Sequence, residues 1–376
     1  MKKIIISILI VGTIFACQSL DSSIKSEAII DDSSVIVHDE KTQMSSILEI
    51  IRVVPLESSE VSLLGEIEKI IKRDGLIYIK SRNRPLMLFD GMGRFLHEIG
   101  KIGPGPEDYS MLVDFDVKNN CTYVLTVGKI QVYNQTGMWV KTIPVDWNAS
   151  GMRLTDDKIL LSVLGDHHVI HLLDESGREI ESVLERNQTL RLSRSISFIK
   201  YDYSFLFPMG RSNDIMAYVP SDNGAFKHMT YLSSSQLSNA QEVDLIENHT
   251  NYKKELNNLG CFDGFLSDKT HAIVPFIKNE EVTLWIKNLK SSQVTAYEMS
   301  ALDNDLTYSP VYSFFLGNVE NDCAFLTYIL PHRLKEYIIR ASHKNENPYL
   351  EELNKAVEKS GDEGNPILIE YKIKGI

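Results

Sequence analysis

The chain predicts an all-β fold, a six-bladed β-propeller of four-stranded antiparallel blades with a small helical insertion near the C-terminus. Three observations carry that expectation. A strand–turn–strand unit recurs, a further apolar strand precedes each copy, and the turn residues are those a tight hairpin demands. The clear copies occupy residues 86–99, 130–143 and 169–182. Their turn glycines, Gly93, Gly137 and Gly177, stand 44 and 40 residues apart, the period of a propeller blade. Asp90, Asn134 and Asp174 open the three turns. A side chain of this kind bonds its own backbone across the turn, and glycine accepts the positive φ there.

Strands at 75–79, 122–126 and 158–162 extend the three units into meanders. A lone meander leaves two apolar faces uncovered, so blades stack around an axis and closure removes most free edges. Later copies are degraded. Residues 215–219 and 225–231, about a turn at 221–224, predict a fourth blade, and 272–277, 282–286 and 293–297 a fifth. Strands near 312–316 and 323–329, with 367–373 near the rim, predict the sixth.

Two helices interrupt the last blade. Leu334, Tyr337, Ile338 and Ala341 form an i, i+3, i+4, i+7 stripe after Pro331, and Leu350, Leu353 and Val357 form another. Asn347 is placed to cap the second, Pro348 suits its first turn, Glu351 and Glu352 oppose its positive end, and Lys359 and Gly361 close it. Stripes of this kind predict packing against the propeller rim; a helix that docks a partner is the alternative.

The first residues read as an export signal: Met1-Lys2-Lys3, an apolar run from Ile4 to Phe15, then Ala16-Cys17. The run is too short to span a bilayer as an ordinary helix. Ile14-Phe15-Ala16-Cys17 resembles the lipobox of bacterial lipoproteins, whose cysteine receives diacylglycerol before cleavage. The resemblance implies lipidation at Cys17 and an anchor in the cell envelope, at the outer membrane. Residues 1–16 are then the signal peptide. Residues 17–46, rich in Ser and Asp, are expected to form a disordered tether, because such a stretch buries too little apolar surface to offset chain entropy. Residues 47–376 form the propeller, with the helical insertion at 331–361.

The formal charge is −12, and loss of Lys2 and Lys3 with the signal leaves −14. No clustered basic face exists to displace counterions, which excludes a nucleic-acid binder. With Cys17 acylated, Cys121, Cys261 and Cys323 remain, an odd number without a CxxC pair. Three buried thiols are expected, with one disulfide as the alternative.

Residues 81–95, then 99–109 and 114–117, resemble NHL-type six-bladed β-propellers, particularly the group found in Bacteroidetes lipoproteins. The shared features are the Asn83-Arg84 element before Phe89-Asp90-Gly91 and the Gly-rich crossing loop that ends at Tyr109. Pro85 stands where that family carries Val. Residues 54–57 with 64–67, and 365–372, match the same lipoprotein group. The resemblance covers nearly all of the mature chain, is sharpest over 54–145, and implies architecture rather than a reaction.

Candidate chemistry is sparse. Gly103-Pro-Gly105-Pro-Glu107 has the glycines of a phosphate loop, but no helix follows, so a blade-to-blade crossing is expected, with Glu107 and Tyr109 at the channel mouth. His167, His168 and His171 do not form a joint chelate, because the odd step from 168 to 171 points two of them to opposite faces of a strand. Asp114 and Asp116 share a face and offer paired oxygens to a cation or, alternatively, bonds to a neighbouring blade; two oxygens are too few for calcium, which takes about six to eight. Arg84 braces blades through carboxylates or faces a ligand. No Gly-x-Ser-x-Gly elbow is present. The sequence therefore predicts an envelope-anchored, non-catalytic propeller that binds a protein, peptide or glycan, with no cofactor or metal. Arg84, Glu107, Tyr109, Asp114 and Asp116 are its candidate ligand residues. The alternative is a metal-dependent hydrolase or lyase with its site at the channel mouth.

Overall fold

The computed structural model describes residues 27–31, 35–185, 198–201, 204–208, 214–220, 224–233, 266–278, 281–311, 319–321, 324–341 and 347–374. An N-terminal strap comes first: strands β1 (Glu27–Asp31), β2 (Ile36–His38) and β3 (Thr42–Gln43), helix α1 (Met44–Ile47) and strand β4 (Leu48–Pro55). Blade 1 is β5 (Ile67–Arg73), β6 (Leu76–Ser81), β7 (Leu86–Asp90) and β8 (Phe95–Ile99). Blade 2 is β9 (Asp114–Lys118), β10 (Cys121–Thr126), β11 (Lys129–Asn134) and β12 (Trp139–Pro144). Blade 3 is β13 (Ala149–Leu154), β14 (Lys158–Val163), β15 (His168–Asp174) and β16 (Glu179–Glu185). Blade 4 is β17 (Ile199–Tyr201), β18 (Ser204–Pro208), β19 (Asp214–Val219) and β20 (Ala225–Ser233). Blade 5 is β21 (Leu266–Ser267), β22 (His271–Lys278), β23 (Glu281–Asn288) and β24 (Val294–Glu298).

After β25 (Leu302–Asp303), blade 6 combines both ends of the chain. Strand β26 (Val319–Asn321) pairs in parallel with β5 of blade 1, while β27 (Phe325–Ile329), β28 (Ile367–Ile373) and β4 form one antiparallel sheet in that order. Residues 367–373 are thus the middle strand and not the rim strand expected from sequence. The rim belongs to β4, whose alternating apolar residues had no partner in the local repeat. Residues 312–316, expected to supply a strand, lie outside the described residues, as do the signal segment and Cys17.

Six apolar clusters fill the six gaps between successive blades. One joins Ile71, Leu86 and Ile99 of blade 1 to Phe115 and Val124 of blade 2. Others lie between blades 2 and 3, 3 and 4, and 4 and 5. The last two close the ring from blade 5 through blade 6 to blade 1. Mutual burial of sheet faces is the main stabilising term in such a stack.

The expected tether ends earlier than Ser46. Strand β1 pairs in parallel with β20 on blade 4, β2 with β24 on blade 5, and β3 with β25. The segment thereby satisfies its backbone groups on edges that blades 4 and 5 would otherwise leave open. The Ser- and Asp-rich composition that predicts disorder does not register this, because edge addition uses main-chain bonds.

The helices α2 (Pro331–Ala341) and α3 (Leu350–Ser360) rest on the rim. Leu334, Leu353, Ala356 and Val357 are buried in the cluster that holds β4 and β28. Asn347 does not cap α3 by its side chain; its Oδ1 accepts from Tyr349 N–H, and its Nδ2 donates to Asp305 O and Leu306 O. Gly361 closes the helix at φ 69°.

Candidate functional site

The innermost strands fix the orientation of the ring. Parallel pairing of β26 with β5 aligns blades 6 and 1. Lys69 on β5 donates to Phe115 O on β9 at 2.6 Å and to Asp114 Oδ1 at 2.7 Å. Arg73, four residues on, reaches Val117 O. Asp114 and Asp116 on β9 accept from Met152 N–H and Leu154 N–H on β13, both at 2.8 Å. Residue numbers rise together on both sides of each contact, so the inner strands of blades 6, 1, 2 and 3 run in the same direction. Their connections therefore fall at two defined ends of the ring.

At one end lie the tight turns. Asp90, Asn134 and Asp174 each accept from the backbone N–H two and four residues on. The Ser176 hydroxyl, with the Arg178 and Ser176 N–H groups, holds the Asp174 carboxyl down at about 2. Gly93, Gly137 and Gly177 follow at φ 81°, 77° and 89°. A Cβ on each would also meet the outer strand of the preceding blade: Pro55 O at 2.5 Å, Glu98 O at 2.8 Å and Pro144 O at 2.5 Å. The repeated glycine therefore answers to two requirements, a left-handed turn and a close blade-to-blade approach.

At the opposite end lie the longer crossings and the inner loops: residues 56–66, 82–85, 100–113, 127–128, 145–148 and 164–167. They present exposed apolar side chains. Val61 and Leu63 stand on the first, Ile102 and Met111 on the crossing from blade 1 to blade 2, Val127 and Leu164 on the inner loops of blades 2 and 3, and Leu330 at the root of α2. Exposure reaches 61% at Val61 and 64% at Val127. Among the described turns of the other end, only Met92 and Met138 are comparably exposed large apolar groups.

The backbone beneath this surface is well held. Tyr109 is fully buried, donates to Ile99 O and accepts from Leu86 N–H, both at 3.0 Å. Burial drives its hydroxyl pKa strongly upward. Tyr133 donates to Glu107 O, and Gln131 Nε2 donates to Pro106 O and Asp108 O. Asp108 accepts from Gly105 N–H. The Gly103–Glu107 stretch is thus a blade-to-blade crossing pinned by blade 2.

The five candidate ligand residues separate accordingly. Tyr109, Asp114 and Asp116 are committed to blade cohesion, which removes them from a ligand surface; of the two alternatives for the aspartates, the structure shows bonding to the neighbouring blade. Arg84 is half-buried and donates to Val61 O at 3.1 Å, bracing the 56–66 loop. Glu107 is exposed on the loop end. The loop end retains Glu107 and gains the apolar side chains, which sequence reasoning did not single out because their exposure depends on which end each loop occupies.

Among the described residues, one group has the disposition of metal ligands: His167, His168 and Glu185. His171 stands apart, buried against Trp147 with ring centroids 4.6 Å apart and its Nδ1 3.2 Å from Glu179 Oε1. His168 and His171 are not brought together as joint ligands; His168 instead meets Glu185 on the adjacent strand, a partner the spacing argument lacked. Cys121 is a free thiol, while Cys261 and Cys323 lie outside the described residues. An open cavity of about 400 Å³ between α2 and residues 302–311 is lined by groups such as Asn304, whose amide is spent on Thr307 and Ser309. Among the described residues no helix is long and apolar enough to cross a membrane.

A family model described as "Domain of unknown function (DUF4934)" matches residues 27–372. A "Putative exported protein" of Bacteroides fragilis NCTC 9343 superposes with a TM-score of 0.71 at 17% identity, over 91% of this chain and 100% of that one. The extracellular domain of a "putative one component system" of B. thetaiotaomicron aligns at 16% identity over 65% of this chain and 29% of that one, with a TM-score of 0.38. None of the curated proteins compared with the chain matches it. At 17% identity the likeness to the B. fragilis protein is one of fold alone, and the NHL-type resemblance is not among the families matched.

Proposed function

The chain belongs to the DUF4934 family, and we propose that it is an exported, envelope-anchored, non-catalytic propeller that recognises a protein, peptide or glycan through the loop end of its ring. The carrying observation is the polarity of the ring. One end is closed by short, self-bonded turns, whereas the other displays exposed apolar groups from at least four separate connections on a pinned backbone. A rigid scaffold that presents side chains from several loops suits recognition, and exposed apolar patches mark interaction surfaces. The exported bacterial protein of similar fold supports the assignment to the envelope, and the lipobox-like Cys17 supplies the proposed outer-membrane anchor. The alternative, a metal-dependent hydrolase or lyase at the channel mouth, is weakened because Asp114 and Asp116 already bond the next blade.

The test is capture from envelope extract by the full chain, with partners identified by mass spectrometry. The double variant Val61→Asp/Met111→Asp is expected to lower recovery of the captured partner at least about tenfold, the effect of losing central apolar contacts. Met138→Asp, at the other end, is expected to leave recovery unchanged. Equal recovery with both variants would remove the loop end from the proposal.

A further inference from the structure

The geometry points to a metal site at the outer corner of blade 3: we propose that His167, His168 and Glu185 hold one borderline divalent ion of the zinc class. This site adjoins the loop end, since His167 stands on the same 164–167 loop as Leu164, but it uses none of the apolar side chains. One donor atom from each residue lies within 4.8 Å of the others. His168 and Glu185 are direct register partners across β15 and β16, so their side chains leave the same face of the sheet. His167 immediately precedes β15, and its Nε2 is 3.7 Å from Glu185 Oε1. The two imidazoles meet edge to face with centroids 4.8 Å apart.

The surroundings favour ligation over a plain solvated cluster. Ser182 Oγ is 3.3 Å from His168 Nδ1, an outer contact that orients the ring and leaves Nε2 as its ligating nitrogen. Leu184, the residue before Glu185, has φ 65°, a left-handed conformation unusual for a bulky side chain. His171 does not compete, since it is buried and already has carboxylates on both sides, Glu179 at Nδ1 and Asp166 at 3.6 Å from Nε2.

The donor set selects the ion. Two imidazoles and one carboxylate suit zinc and its neighbours, whereas calcium takes about six to eight oxygens and magnesium retains water around carboxylates. Zinc ligands at ~2.1 Å stand roughly 3.4 Å apart in a tetrahedron. Closing from 4.8 Å requires only side-chain rotation, because His167 and Glu185 are exposed and no core packing opposes it. Three protein donors leave the fourth position to water or to a donor from outside the chain.

The full chain, stripped with chelator and carrying no affinity tag of histidines, is titrated with Zn²⁺ by calorimetry and with Co²⁺ by visible absorption. One equivalent is expected to bind, and Co²⁺ is expected to show the intense d–d bands of a four-coordinate site. His168→Ala and Glu185→Gln are each expected to weaken binding at least about tenfold, and Ser182→Ala to weaken it less. His332→Ala, an exposed histidine on α2, is expected to bind as the parent does. Absence of a saturable single equivalent would overturn the site, as would binding that survives the His168→Ala/Glu185→Gln double variant with circular dichroism unchanged.

Discussion

Blades 1–3 and blades 4–6 solve the same closure problem in different ways. In the first group the devices are local and repeated. The turn glycine of each blade meets the outer strand of the one before it, and Lys69, Asp114, Asp116 and Arg153 reach from one inner strand to the next. In the second group cohesion comes from elsewhere in the chain. The strap adds an edge strand to blade 4, another to blade 5 and the rim strand of blade 6. Where short-range motifs are intact, neighbouring blades adhere through them; where the repeat has decayed, residues 27–55 supply backbone bonding from a distant part of the sequence. The strap therefore has the character of a clasp for the less regular half.

The largest effect should come from breaking that clasp. Val54 on β4 is 2% exposed, faces the cluster between blades 6 and 1, and pairs with Leu368. Val54→Asp places an unpaired carboxylate there, with an expected loss on the order of 4 kcal/mol. Hydrogen exchange checks the comparison more sharply than a midpoint does. Amides of β27 and β28 should lose protection well before those of β9–β14, because sub-global opening follows the weakest cooperative unit. Simultaneous loss throughout would show that the two halves are not separately held.

Within the regular half, two glycines separate the contributions of conformation and contact. At Gly177, φ is 89° and a Cβ would stand 2.5 Å from Pro144 O and 2.7 Å from an Ile143 methyl. At Gly128, φ is 73° and nothing lies within 4 Å. Gly128→Ala is expected to cost about 1 kcal/mol, the left-handed penalty alone. Gly177→Ala is expected to cost about 3 kcal/mol, since the adjacent outer strand must also move. Urea midpoints of the two variants measure the difference. Equal losses would mean that the blade-to-blade approach contributes nothing.

This contrast also explains how much was legible in sequence. The three intact hairpins carry their structure within fourteen residues each, because Asx bonding, turn glycine and alternation are all short-range. β1–β4 carry no such signal: parallel edge pairing with β20 and β24 uses main-chain groups, and a partner more than two hundred residues away leaves no periodic trace. Asp114 and Asp116 were identified as a pair with two possible uses, and only the positions of Met152 and Leu154 N–H decide between them. The exposed Val61, Met111 and Val127 read as ordinary apolar residues until the ring places them on one end. Glu185 was invisible as a partner for His168 because register across a hairpin with a bulge cannot be counted from spacing alone.

The most specific effect isolates charge from geometry in one inter-blade staple. Burial alone would raise the pKa of Asp114. The charges of Lys69 and Arg153, with hydrogen bonds from Lys69 and Met152 N–H, outweigh burial and leave it lowered. A carboxyl depressed on folding contributes stability that is fully present above its unfolded value, about 4, and lost as pH falls through the folded value. Asp114→Asn keeps the side-chain shape but removes the charge facing Lys69, and is expected to cost about 2 kcal/mol at neutral pH. The gap between the parent and this variant should then narrow below about pH 4, as the parent's carboxylate protonates and its advantage disappears. A gap of constant size from pH 7 to pH 3, read from denaturation curves, would assign the staple to hydrogen-bond geometry. Blades 1–3 would then be joined by the same kind of neutral bonding that the strap supplies to blades 4–6.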